Sequence, residues 1–227
     1  MLIFYPTSEG KKINKASDMT LSNPLIREEI SEVQPWLQNM GLANVDFESV
    51  AKAMMGEYAD DNPFYSRAKA GTYAFHQGLY SIRQEVVGQD DWVVFRSSKN
   101  LEGVRSDSRK VVILISGVTI ACSSRDPVKR TKCGSATEEV SGQQGMLFED
   151  LPISVSMLEG GDTHYWFMAD EAGNAEISRP IIKKGVYVGF IERNKVVFAD
   201  GDDFDETAFG ADDAVNDFDI DVVRKAS

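Results

Sequence analysis

The stretch NPFYSRAKAGTYAFHQGLYSIRQEVV, Asn62 to Val87, decides the fold of the N-terminal part of this chain. Its Asn62-Pro63 start suits a helix, because asparagine caps the first turn and proline is tolerated at the first helical position. Apolar residues then recur at helical steps, at Phe64, Ala68, Phe75, Leu79, Ile82 and Val86. Gly88 follows, where a C-terminal glycine ends many helices. The pattern predicts a helix over about 62–87, about seven turns long.

Two shorter helices are predicted before this one. The pair Asn23-Pro24 repeats the start signature, and Pro35 is expected to break or kink the helix whose apolar face is Leu25, Ile26, Ile30 and Val33. Asp46 is the expected cap of the next helix, with an inward face of Phe47, Val50, Ala51, Met54 and Met55. Residues 1–90 are therefore predicted to be a cluster of three helices.

After Gly88 the chain changes to segments rich in valine, isoleucine and aromatic residues, which is typical of strands. The segments are Trp92–Phe95, Arg109–Ala121, Ile153–Leu158, His164–Ala169, Ala175–Ile182 and Val186–Phe198. Val111–Ile115 has no polar alternation and predicts a central strand covered on both faces. Turns are expected at Glu171–Asn174 and at Arg193-Asn194. Helices followed by strands indicate an α+β fold, with an antiparallel or mixed sheet in 91–199 that forms one domain with 1–90.

Charge divides the chain into a mildly acidic body and a strongly acidic end. Of the net charge of −12 over 227 residues, residues 200–227 contribute −8, from ten acidic and two basic side chains. This balance argues against a surface that coats nucleic acid, although a local basic patch stays possible. Since the sequence lacks both an apolar run of about 18 residues and a signal-peptide pattern, we expect no membrane contact. With two cysteines and no disulfide framework, the expected location is cytoplasmic.

One face of the long predicted helix combines aromatic and basic residues: Tyr65, Lys69, Tyr73, His76, Tyr80 and Arg83. Such a face could stack nucleobases while its cations pair with phosphates. The alternative is that the tyrosines pack on the first two helices, with their hydroxyl groups at the rim.

A basic loop runs from Cys122 to Cys133, after the predicted central strand. Its cations are Arg125, Lys129, Arg130 and Lys132. A loop of this composition can bind an anion such as phosphate, or it can be a solvated loop without a specific ligand. Because the acidic tail has the opposite charge, a further hypothesis is that residues 200–227 cover this loop.

Two short patterns predict contacts with a protein partner. Gln144, Leu147 and Phe148 resemble the Gln-x-x-Leu-Phe peptide with which bacterial proteins dock on the DNA-polymerase sliding clamp, and this resemblance implies a role in DNA metabolism. The alternative is that Leu147 and Phe148 fold back into the core. In the tail, Phe218 and Ile220 alternate with acids, which is typical of a segment that docks on a basic, apolar groove, of an edge strand or of a solubilising tail.

These features favour a non-enzymatic binding protein that acts on a macromolecular partner. The partner is expected to be a protein involved in nucleic-acid handling, with inhibition by acidic mimicry as one version. The alternative is a metal-dependent nuclease or phosphodiester hydrolase that uses Asp162, Asp170, Glu176 and Lys195. With only two histidines and no nucleotide-binding motif, we expect no cofactor, and the favoured hypothesis assigns no metal ligand.

Overall fold

The computed structural model describes residues 23–59, 64–66, 68–142 and 161–199. The helices in these ranges are α1 (Ile30–Met40), α2 (Phe47–Ala59), α3 (Lys69–Val86) and α4 (Ser135–Gly142). The strands are β1 (Leu25–Arg27), β2 (Trp92–Arg96), β3 (Glu102–Ser106), β4 (Val111–Gly117), β5 (Thr163–Ala169), β6 (Ala175–Lys183) and β7 (Val186–Val197). The predicted strand Ile153–Leu158 and the acidic tail lie outside the described residues.

The strands form one seven-stranded mixed sheet in the order β1-β7-β6-β5-β4-β3-β2. The β4–β5 and β1–β7 pairs are parallel, and the other neighbouring pairs are antiparallel. The α+β prediction with a mixed sheet is therefore confirmed. Within the described ranges, no helix combines the length and the apolar character needed to cross a membrane.

Strand β4 lies inside the sheet, with a hydrophobic cluster on each face. Its residues Val111, Ile113 and Ile115 point into the larger cluster, which includes buried residues of α1, α2 and α3. Val112 and Leu114 point into a smaller cluster on the opposite face. The prediction of a central strand covered on both sides is confirmed, and the absence of alternation in Val111–Ile115 follows from this double burial.

Helices α2 and α3 pack against each other more closely than side chains of ordinary size would allow. A Cβ added to Gly78 would lie 3.1 Å from Met54 Sδ, so the glycine permits the close approach of the two helices. The predicted inward face of α2 is buried, and Asp46 accepts a 3.0 Å hydrogen bond from the Ser49 backbone N–H as the expected cap.

The prediction for α3 is correct only in its C-terminal half, where Leu79, Ile82 and Val86 are buried. The described helix begins at Lys69 rather than near residue 62. Phe64 is 95% exposed and Phe75 37% exposed, so both are wrong as core residues. The small residues Ala74 and Gly78 are buried instead, because the close contact with α2 leaves no room for a large side chain.

The predicted first helix is wrong in its boundaries. Leu25–Arg27 forms β1, parallel to β7, because Arg27 pairs with Glu192 and also donates a 2.7 Å hydrogen bond to Asn194 Oδ1. Helix α1 begins at Ile30 and continues through Pro35. Its last residue is Met40, and the following Gly41, with a φ of 69°, closes the last turn in the left-handed conformation that glycine adopts readily.

Strand β3 and helix α4 were not predicted from the sequence, and the turn expected at Arg193-Asn194 is absent. Strand β7 runs straight through these residues, both fully buried and paired with β6. The β6–β7 hairpin bends over the smaller hydrophobic cluster, where the Tyr187 hydroxyl group lies 3.0 Å from Ser116 Oγ. The expected turn at Glu171–Asn174 is confirmed by the hydrogen bond from Asp170 N–H to Asn174 O.

Candidate functional site

A groove of about 590 Å³ lies between α3 and the loop that follows β4. One wall is the N-terminal part of α3, and the opposite wall is the Lys129–Thr131 segment. The end of β4 forms the floor, and the turn between β2 and β3 closes one side. Polar lining residues are Thr72, Asn100, Glu102, Ser116, Lys129, Arg130, Thr131 and Thr137, and apolar ones include Ala68, Ala70, Phe75, Leu101 and Leu114.

Two of the four predicted anion-binding residues, Lys129 and Arg130, line this groove. Arg130 Nε donates a 2.9 Å hydrogen bond to Val118 O, and its guanidinium group pairs with Glu171. The arginine is therefore held in position at the groove wall. The other two, Arg125 and Lys132, are exposed and do not line the groove. The groove thus combines apolar walls with positive charge along one side.

Buried polar groups anchor the first residues of the basic loop to the sheet. This part of the loop therefore differs from the solvated loop that was one of the two predictions. Asp170 accepts a 2.8 Å hydrogen bond from the Ala121 N–H, and Glu176 accepts a 3.1 Å one from the Cys122 N–H. Arg193 Nη2 donates to Ser123 O at 3.2 Å. These contacts fix the first residues of the loop over the open ends of β5, β6 and β7.

Both cysteines are free and belong to this covered region. Burial raises the pKa of the Cys122 thiol, and the negative charge of Glu176 acts in the same direction. Its Sγ lies 3.1 Å from Ala175 O, to which the thiol donates. Burial also raises the pKa of the Cys133 thiol, with Lys129 opposing the shift. Neither thiol has the lowered pKa of a reactive cysteine.

The predicted aromatic and basic face of α3 is largely exposed. Tyr65, Tyr73 and Tyr80 have 53%, 55% and 56% of their surface accessible. The Lys69 ammonium group lies 4.4 Å from the centre of the Tyr65 ring and 5.5 Å from that of Tyr73, so these three side chains form one cation–π cluster.

The other two members of this face differ in their surroundings. His76 is exposed, whereas Arg83 is half-buried, donates to Phe95 O and pairs with Glu102 at 2.8 Å. The face therefore presents tyrosines around one lysine, while its arginine serves the contact between α3 and the β2–β3 hairpin.

The N-terminal half of α3 has little packed against it among the described residues. Of the nine residues from Lys69 to Gln77, only Ala74 is buried. The C-terminal half, in contrast, buries Gly78, Leu79, Ile82 and Val86. The exposed half carries tyrosines on one side and groove-lining residues on the other. We call this exposed half, together with Tyr65, Tyr80 and the groove, the α3 shoulder.

The residues of the hydrolase alternative are not brought together as one set. Asp162 and Asp170 flank opposite ends of β5, and Asp162 pairs with Arg105 at 3.1 Å. Lys195 pairs with Glu28, and Glu176 pairs with Arg193 at 2.8 Å. In the part of the chain that the structure describes, no group of three histidine, cysteine or acidic residues could hold a metal ion.

Several groove residues had no sequence signal because they come from segments far apart in the chain. Thr72, Asn100 and Thr131 are ordinary polar residues until the fold assembles them around the end of β4. The predicted partner-binding residues Gln144, Leu147, Phe148, Phe218 and Ile220 lie outside the described residues.

Comparison of the chain with protein-family models, with curated proteins and with solved structures finds no match.

Proposed function

We propose that this chain is a non-enzymatic binding protein that recognises a macromolecular partner through the α3 shoulder. The partner that fits best is another protein, and the sliding-clamp-like peptide around Phe148 suggests one involved in nucleic-acid handling. The observation that carries the proposal is the exposure of Tyr65, Tyr73 and Tyr80 beside a groove. Tyrosines supply much contact area at low conformational cost and are enriched where proteins meet.

The charge distribution favours a protein over nucleic acid as the partner. A single strand stacked on the tyrosines would need cations to neutralise its phosphates. Arg83 is already paired with Glu102, and Arg130 of the groove is paired with Glu171, so both of these cations are neutralised within the chain. The net charge of −12 would further repel a polyanion at a distance.

The contacts of the carboxylates support binding rather than hydrolysis. Asp170 and Glu176 accept hydrogen bonds from backbone N–H groups of the basic loop, and Glu176 also neutralises a buried arginine. Groups used in this way stabilise the fold. Metal-assisted hydrolysis needs carboxylates gathered around one ion, and Asp162 lies at the other end of β5.

Site-specific photocrosslinking in the cells that naturally contain the protein tests the proposal. A benzophenone amino acid replaces Tyr73 on the shoulder or, as the matched control, Val188, which is 41% exposed on β7. We expect a protein adduct from position 73 that is absent from position 188. The adduct should weaken at least about tenfold when Tyr65 and Tyr80 are both changed to alanine, since hot-spot aromatic residues each contribute about 2 kcal/mol or more.

Other outcomes would reject the proposal. Crosslinks to nucleic acid at position 73, or equal protein adducts at both positions, would contradict a protein-specific shoulder. Cleavage of plasmid DNA with Mg²⁺ that is lost in the Asp162→Asn variant would support the hydrolase alternative. Asp162 suits this test because it is partly exposed and takes part in fewer buried contacts than Glu176.

A further inference from the structure

We propose that the acidic C-terminal segment, residues 200–227, occupies the groove of its own chain, so that a partner must displace it. The inference rests on the proposed function in one respect, namely that the groove belongs to the recognition surface. Three independent observations support it: where the described chain ends, how far the groove lies from that point, and the chemistry of the two surfaces.

The described chain ends at the same edge of the sheet as the groove. Strand β7 runs in the same direction as β4, because β4 and β5 are parallel and two antiparallel pairings follow. In the register, Gly117, Ala169, Ala175 and Val197 form one row across the four strands. The chain therefore leaves β7 at the same edge of the sheet as the end of β4, where Ser116 and Gly117 form the floor of the groove.

Side-chain contacts connect the end of the described chain to the groove wall. The Ala199 N–H donates a 3.0 Å hydrogen bond to Asn174 Oδ1, which holds the chain against the turn between β5 and β6. Glu171 of the same turn pairs with Arg130 in the groove wall. The turn between β5 and β6 thus contacts both the last described residue and an arginine of the groove wall.

The distance is short for the length of chain that follows. Three strand spacings of about 4.8 Å separate β7 from β4, so the groove begins about 14 Å from the end of β7. Even at the helical rise of about 1.5 Å per residue, ten residues of the segment would cover this distance. Phe218 lies further along the segment than these ten residues, so the chain is long enough to bring it into the groove.

The two surfaces are complementary in charge and in polarity. The segment has ten acidic and two basic residues, and Phe218, Ile220 and Val222 alternate with Asp217, Asp219 and Asp221. The groove presents Lys129, and Arg130 in its ion pair with Glu171, beside apolar residues such as Phe75 and Leu101. Glu102, the acidic residue in its lining, is itself paired with Arg83. A tethered segment is present at an effective concentration of the order of millimolar, so even weak contacts would keep the groove occupied.

Paramagnetic relaxation enhancement on the full chain tests this contact without any partner. A nitroxide is attached through Asn216→Cys. Cys133 is buried and Cys122 is half-buried, and the protein without Asn216→Cys, treated in the same way, measures any label that they take up. We expect the amide signals of Gly71 and Thr131 to lose more than half of their intensity. The signal of Lys110, before the opposite end of β4, should stay unchanged.

Two variants and one mixture make the result decisive. Thr131→Glu adds a negative charge to an exposed position of the groove and should reduce the broadening at least twofold, as should 0.5 M NaCl. Lys110→Glu, the matched control at the far end of β4, should leave it unchanged. Broadening in a mixture of ¹⁵N-labelled protein and nitroxide-labelled protein would instead identify a second copy as the occupant.

Absent or uniform broadening in the labelled chain would overturn the inference. Because no partner takes part in this measurement, its result is independent of the crosslinking at position 73. An occupied groove with no adduct at Tyr73 would reject the proposed function alone, and an adduct without broadening would reject the tail contact alone.

Discussion

The buried ion pair between Glu176 and Arg193 allows a quantitative test of how the sheet is stabilised. Both side chains are inaccessible to solvent, and Arg193 Nη2 lies 2.8 Å from Glu176 Oε2. The remaining contacts of Glu176 come from the Ser178 hydroxyl group at 2.7 Å, the Cys122 N–H at 3.1 Å and Arg193 Nε at 3.1 Å. All of these groups are donors, and each carboxylate oxygen of Glu176 accepts two hydrogen bonds.

Removal of one member of the pair should therefore be costly. Glu176→Met leaves Arg193 with Ser123 O at 3.2 Å and the half-exposed Asp126 at 3.4 Å as its partners. Breaking a buried pair from one side costs about 3–5 kcal/mol of the free energy of unfolding. Arg193→Met should cost a similar amount. The double variant should cost clearly less than the sum, because it leaves no buried charge unpaired.

Urea-induced unfolding at pH 7, followed by the fluorescence of the buried Trp92 and Trp166, measures these values. The matched control is the exposed i,i+4 pair of Glu48 and Lys52 on α2, where Glu48→Met should change the free energy of unfolding by less than about 0.5 kcal/mol. A loss below about 1 kcal/mol for Glu176→Met would refute the reasoning. Additive single and double variants within about 0.5 kcal/mol would refute it as well.

Two other predictions concern backbone space and pH. Gly103→Ala should lower the free energy of unfolding by about 1–3 kcal/mol or more, because the new Cβ would lie 2.0 Å from Ile113 O. Gly56→Ala, in helix α2 with open space around it, should raise it by about 0.5–1 kcal/mol, and urea unfolding of both variants checks the contrast. The hydrogen bond from the Ser108 N–H lowers the pKa of Asp91, so its contribution to stability is present above about pH 4 and is lost as the pH falls further. Thermal unfolding between pH 7 and pH 2 should accordingly show a smaller decrease for Asp91→Asn than for the wild type.

Local patterns sufficed where the contacts that decide an element are close in sequence. Helix α2 has its cap at Asp46 and its buried face within 13 residues, and both are predicted correctly. The uninterrupted apolar run of Val111–Ile115 likewise identifies a strand buried on both faces. In these cases the periodicity of side chains reflects directly the surface that each element buries.

Patterns failed where a distant partner decides the structure. Leu25–Arg27 follows a helix start signal, yet Glu192 and Asn194 hold it as a strand. Arg193-Asn194 has the composition of a turn, but an arginine can be buried in a strand when Glu176 is opposite. The groove could not be predicted for the same reason. Its lining residues come from seven separate segments, and of these residues only Lys129 and Arg130 were predicted to bind a ligand.

The parallel pairing of β1 with β7 has a consequence for synthesis of the chain on the ribosome. Arg27 cannot form its ion pair with Glu192 until Glu192 has been synthesised, and Glu192 is 165 residues further along the chain. At roughly 5–20 residues per second, this delay is roughly 10–30 seconds. During this time the helices can form, but the sheet that covers their apolar faces is incomplete until its sixth and seventh strands emerge. A nascent chain of this protein is therefore a candidate client for chaperones until translation is nearly finished.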